Sequence, residues 1–191
     1  MEKEIARTRK GLEGLRQNGE EILQELATLQ HLLTNLRFEG KICLSKNLRL
    51  SLRSLEEIRE KLEPLIEVEE RTLFPFIEVH IPRLQSVLCV LEGEHENLRQ
   101  SIRNLRALLK GSLGKKNVRT NGHLRDICEA GIYLVYFLKQ HFEAEESSIH
   151  RAARRELRRG EKKSLGRLIQ HSHRLTKQQK VKNNRKKEEK K

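Results

Sequence analysis

A chain of 191 residues with 35% charged residues, 4% aromatic residues and no Trp has the composition of helices rather than strands, and it is long enough for one core but cramped for two. Its net charge of +13 is unevenly placed: residues from Arg151 onward hold 17 Lys or Arg against four Glu, and taking these from the totals of 40 and 27 leaves 23 basic and 23 acidic residues in positions 1–150. Three cysteines without a CxxC pair exclude a disulfide framework and a cysteine zinc site, and no apolar run of about 18 residues or secretory leader is present, so the expectation is a soluble, cytoplasmic protein with no transmembrane segment.

The first predicted helix spans about Glu4 to Arg37, because Leu12, Leu15, Ile22, Leu26, Leu29, Leu33 and Leu36 recur at three- and four-residue steps; Gly40 is its expected stop. A second stripe runs through Leu48, Leu52, Leu55, Ile58, Leu62, Leu65, Glu69 and Leu73, with Pro64 expected to kink the helix or restart it. The third, Leu84, Leu88, Leu91, His95, Leu98, Ile102, Leu105 and Leu109, ends at the glycine-bearing stretch from Gly111 to Gly122, which reads as a loop. Cys89, on this segment, and Cys128, on the next, sit among apolar neighbours and read as reduced core residues. The fourth stripe is Leu124, Ile127, Gly131, Leu134, Leu138, His141, Glu145 and Ile149. Four helices, each apolar along one stripe, bury those stripes best as an antiparallel four-helix bundle, here over residues 1–153.

Residues 154–191 form a basic extension. Leu157, Leu165, Leu168, Ile169 and Leu175 give it a weak amphipathic start around Gly160 and Gly166, and the lysine-rich end is expected to be disordered. Such a tail is suited to nonspecific contact with nucleic acid or another anionic partner through charge, and equally to solvation without a partner. It has no aromatic side chain for base stacking. His171 and His173 lie in too basic a setting to hold a metal well.

Four polar residues, Glu69, His95, His141 and Glu145, interrupt otherwise apolar stripes. A buried carboxylate is costly unless it is paired or bound to metal, and two Glu with two His are usual ligands of a carboxylate and imidazole site. The HxxxE spacing of His141 and Glu145 puts both on successive turns of one face. The alternatives are ordinary: a core histidine satisfied by a neighbour, or Glu69 paired with His95 or Arg99.

The segments EERTLFP at Glu69, LEGEHENLRQSI at Leu91 and QHFEAEE at Gln140 resemble the hemerythrin-like, or HHE cation-binding, domain family of four-helix bundles. The resemblance implies a non-haem di-iron site, with Glu69 and Glu145 as bridging carboxylates and His95 and His141 as terminal ligands of one iron. It also implies a role in oxygen binding, or in iron, oxygen, nitric oxide or redox responses. Two expected ligands are missing. Leu65 stands where the family has a histidine, and His31, the candidate on the first helix, lies roughly opposite its apolar stripe, while the seam position upstream is Asn18 or Gly19.

In the family arrangement both absent histidines serve one iron, so the resemblance implies a degraded site, with a mononuclear centre as the simplest outcome and a dinuclear or an empty, vestigial site as the alternatives. Iron is expected, manganese or zinc is also compatible, and the role is sensing or response rather than turnover. No nucleophile triad, phosphate-binding loop or zinc-protease motif argues for another catalytic class. The competing readings are a metal-free helical interaction module that works through its basic tail and a redox enzyme of the non-haem iron kind.

Overall fold

The computed structural model describes residues 2–38, 43–114 and 121–188, and every element among them is helical. Helix α1 (Glu2–Phe38) packs on α2 (Leu44–Val68), which passes into a π-helical turn (Glu69–Leu73) and α3 (Phe74–His80). A 3-10 turn (Pro82–Leu84) leads to α4 (Gln85–Gly114); then come α5 (Asn121–Glu145), a second π-helical turn (Glu146–His150), α6 (Arg151–Glu156) and α7 (Arg159–Glu188). Among the described residues no helix is long and apolar enough to cross a membrane. Gly40 lies outside the described residues, as does the middle of the expected loop, whose two ends continue α4 and begin α5.

Helices α1, α2, α4 and α5 form the bundle, each packed on two others in the ring α1–α2–α4–α5. Cross-links show the antiparallel sense directly. Arg106 ion-pairs with Glu56 and Arg99 with Glu63, so residue numbers rise on α2 as they fall on α4. Likewise Cys128 meets the Leu33 carbonyl while Lys139 meets Gln30. The apolar stripes fill the centre: Leu15, Ile22, Leu26, Leu55, Ile58, Leu62, Leu98, Leu105, Leu134 and Leu138 are all buried. Truncating any of these to Ala costs about 2–5 kcal/mol in comparable cores. At Gly131 an added Cβ would fall 2.4 Å from the Leu33 side chain, so this glycine sets how closely α1 and α5 approach.

Of the two outcomes expected at Pro64, no restart occurs: α2 runs through it to Val68, and the departure from α geometry comes at Glu69. One expectation needs correction. Cys89 is exposed, because it lies one residue, and therefore about 100°, away from inward-facing Leu88; Cys128 is buried, and all three cysteines are free. Helix α7 runs from Arg159 to Glu188 and is anchored near its start: Leu165 and Ile169 are buried, and α7 packs along α1 and α2. At their crossing a Cβ on Gly11 would meet the Gly166 Cα at 2.7 Å, so two glycines allow backbone-to-backbone contact. From that anchor the helix propagates through Lys, Gln and Arg, which are good helix formers.

Candidate metal centre

The two π-helical turns lie at corresponding places, one beginning at Glu69 and the other directly after Glu145. Each wide turn inserts a residue, so the inward face passes from Glu69 to both Leu73 and Phe74, and from Glu145 to both Ile149 and His150. Single π turns of this kind recur at functional sites. Here they point two carboxylates into the bundle.

Glu69, His95, His141 and Glu145 are 1, 0, 1 and 2% exposed, and they converge from α2, α4 and α5. The imidazoles of His95 and His141 stand edge-on with centroids 4.8 Å apart, and Phe74 stacks on the outer face of His95. One ligand-type atom each from His95, His141 and Glu145 lie within 4.8 Å of one another. Glu69 falls outside that group but stands beside it, its Oε2 at 3.6 Å from His95 Nε2, and Glu145 Oε2 is 3.8 Å from His141 Nε2. Both gaps exceed hydrogen-bond length. They suit two donors that share an ion held at about 2.1 Å from each.

The outer nitrogens are fixed. His95 Nδ1–H donates to Glu70 at 3.0 Å, and Arg99 grips both Glu70 oxygens at 3.0 Å; His141 Nδ1–H donates to Glu94 at 2.8 Å. A carboxylate on Nδ1 sets the tautomer and leaves a lone pair on Nε2, which is how metal-binding histidines are commonly oriented. Nε2 of both rings, Glu69 Oε2 and Glu145 Oε1 are buried without a hydrogen-bond partner. Orphaned buried polar atoms are costly for a fold to keep. A cation among His95, His141 and Glu145 would give the two imidazoles and the Glu145 carboxyl a partner, so this donor set fits a metal ion.

The electrostatics agree. Burial, with His141 and Arg99 nearby, pushes His95 down to about 3. Burial also lowers His141, against the opposing pull of Glu94. Glu145 is raised to about 8 by burial and by Glu94, and Glu69 well above its ordinary value by burial, Glu145 and Glu70. In the absence of a cation the imidazoles are neutral and the carboxyls hold protons, so a metal would bind by displacing protons.

Sequence reasoning alone missed Glu70, Glu94 and His150, a buried histidine on the second π turn, and it offered Arg99 to Glu69 rather than to Glu70. The EE and EH doublets were the available signal for the first two. His31 is exposed and contacts Asn35 at 3.3 Å, which places it away from the cluster. His171 is exposed on α7, far along the chain from these four residues.

A repeat underlies the arrangement. Leu15, Gly19, Ile22 and Leu26 on α1 correspond to Leu91, His95, Leu98 and Ile102 on α4, and Ile58, Leu62, Leu65 and Glu69 on α2 to Leu134, Leu138, His141 and Glu145 on α5, each pair separated by 76 residues. The carboxylate is kept in both halves. The two imidazole positions are filled in one half and are Gly19 and Leu65 in the other.

A bundle of four antiparallel helices with buried carboxylates and imidazoles facing one another defines a cation-binding helical protein. The chain matches the hemerythrin HHE cation-binding domain over residues 10–127, and it belongs to that family. The matched stretch ends before His141 and Glu145, which lie at the repeat positions of Leu65 and Glu69. A search among curated proteins gives no match.

Proposed function

We propose that this protein binds one transition-metal ion through His95, His141, Glu145 and Glu69, with iron as the physiological metal, and acts in iron, oxygen or redox sensing. The observation that carries this reading is the pair of imidazoles whose Nδ1 atoms are held by carboxylates while their Nε2 atoms have no partner. Two histidines and a carboxylate with open positions beside them suit Fe(II), and manganese or zinc is compatible with the same atoms. Bound iron would supply a redox-active centre with a vacant position. The chain itself holds the rings, excludes water around them and keeps Glu69 and Glu145 ready to give up protons. Leu65 and Gly19 offer no ligand for a second ion. Anaerobic addition of Fe(II), Mn(II) or Zn(II) to tag-free protein should raise its melting temperature, since ligand binding to the folded state alone stabilises it. His141→Ala should abolish the rise. A melting temperature indifferent to all three metals would contradict the proposal.

The C-terminal charge supports a second reading, in which α7 contacts an anionic partner such as nucleic acid. Seventeen basic residues from Arg151 onward are the observation in its favour. Binding of duplex DNA that disappears between low and moderate salt would support it; no binding at low salt would contradict it.

A further inference from the structure

Three of the large apolar side chains exposed among the described residues, Val79, Leu168 and Leu175, line one groove. Val79 is 74% exposed, more than any other of its kind. The groove, of about 500 Å³, lies between α3 and α7 beside the first π-helical turn, against which α7 packs. Leu168 and Leu175 are seven residues apart, so they share one face of α7 along about 10 Å, with His171 between them. On the facing wall Phe76 stacks on His80, ring centroids 4.0 Å apart, and Val79 stands one helical step further on. An apolar strip rimmed by polar residues marks an interaction surface.

Charge indicates what covers it. The lining carries Arg71, His80 and His171 and no carboxylate. Glu67 and Glu78, on neighbouring turns, are already engaged, by Arg71 at 2.7 Å and by Gln85 at 3.1 Å. From Arg159 to Leu175, α7 holds five Lys or Arg against Glu161 alone, whose carboxylate accepts the Arg158 backbone N–H. A second copy docked face to face would bring like charge against like, and duplex DNA would meet the cations but leave the apolar strip in water. A flat bilayer would not reach into a groove. We propose that the groove between α3 and α7 docks an acidic amphipathic helix of another protein. Apolar side chains at steps of three and four enter between Val79 and the edge formed by Leu168 and Leu175, and Asp or Glu on the flanks meet Arg71 and exposed Arg174. None of the four candidate metal ligands lines the groove, so docking there does not depend on the metal.

The test is fluorescence anisotropy of the full-length protein with a labelled helical peptide of about five turns that has Leu on one face and Glu on the other. One control peptide is shuffled so that its Leu share no face, and a second has Lys in place of Glu. The acidic amphipathic peptide should bind about tenfold or more tightly than either, since one control loses the apolar stripe and the other the charge match. Val79→Ser combined with Leu168→Ser should weaken its binding about tenfold, and because both side chains are exposed the fold should be kept. Tyr136→Ser, exposed on α5 and outside the groove, should change nothing. Equal binding of the shuffled or the Lys peptide, unchanged affinity in the Val79 and Leu168 double variant, or no binding at all would overturn the proposal. So would loss of binding to phosphatidylserine vesicles or duplex DNA, rather than to the peptide, in that double variant.

Discussion

The two halves of the bundle use one helical plan and differ in what it carries. On α4 and α5 the repeat holds His95, His141 and Glu145, with Glu94 steadying one ring; on α1 and α2 the matching places are Gly19, Leu65 and Glu69, with Asn18 where Glu94 would be. Both halves keep the inward carboxylate and the π-helical turn at its side. The backbone geometry thus persists without the imidazoles. What separates a ligating half from an apolar one is two side chains and their supporting carboxylate.

The strongest way to break the comparison is to remove the imidazoles from the half that has them. His95→Ala or His141→Ala should eliminate stoichiometric metal, as elemental analysis would record, because each leaves too few donors. The reverse change sharpens it: Gly19→His with Leu65→His should raise metal content from about one to about two ions per chain, with Glu69 and Glu145 between them. A smaller effect belongs to the supporting carboxylates. Glu94→Gln, or Glu70→Gln, should weaken metal affinity roughly 10–100-fold in a chelator competition while the fold is retained.

The pH dependence of the metal-free protein comes next. Glu145, raised to about 8, contributes stability that is full below its ordinary value of 4.5 and is lost as pH climbs towards 8. His95, lowered to about 3, contributes stability that is full above its ordinary 6.5 and is lost as pH falls towards 3. The two oppose each other between 4.5 and 6.5, and above 6.5 only the glutamate effect remains. Denaturant titrations should therefore show the metal-free chain weakening from pH 6.5 to 8, with the loaded chain largely spared because the ion has replaced the protons. The smallest effect is expected at His31, exposed on α1: His31→Ala should leave metal content unchanged.

Much of this was legible in the sequence. Leucines recurring at steps of three and four residues locate the bundle helices, and the same steps put Glu69, His95, His141 and Glu145 on inward faces. Helix period reports direction, not partners, so it gives no sign that Glu70, gripped by Arg99, and Glu94 hold the rings from outside. The π turns were also hidden, since a five-residue step from Glu145 to His150 looks like a miss in a three-four pattern. The docking of α7 joins buried Leu165 and Ile169 to the close approach of Gly11 and Gly166, and that backbone contact leaves no apolar signature in the chain.

The most direct test of the central claim is metal content by plasma mass spectrometry after anaerobic iron add-back to tag-free protein, made in parallel on His141→Ala. About one ion per chain, absent from the variant, is the result expected of a bundle with one ligating half. A folded chain that stays empty, or one that holds two ions with Gly19 and Leu65 in place, would contradict it.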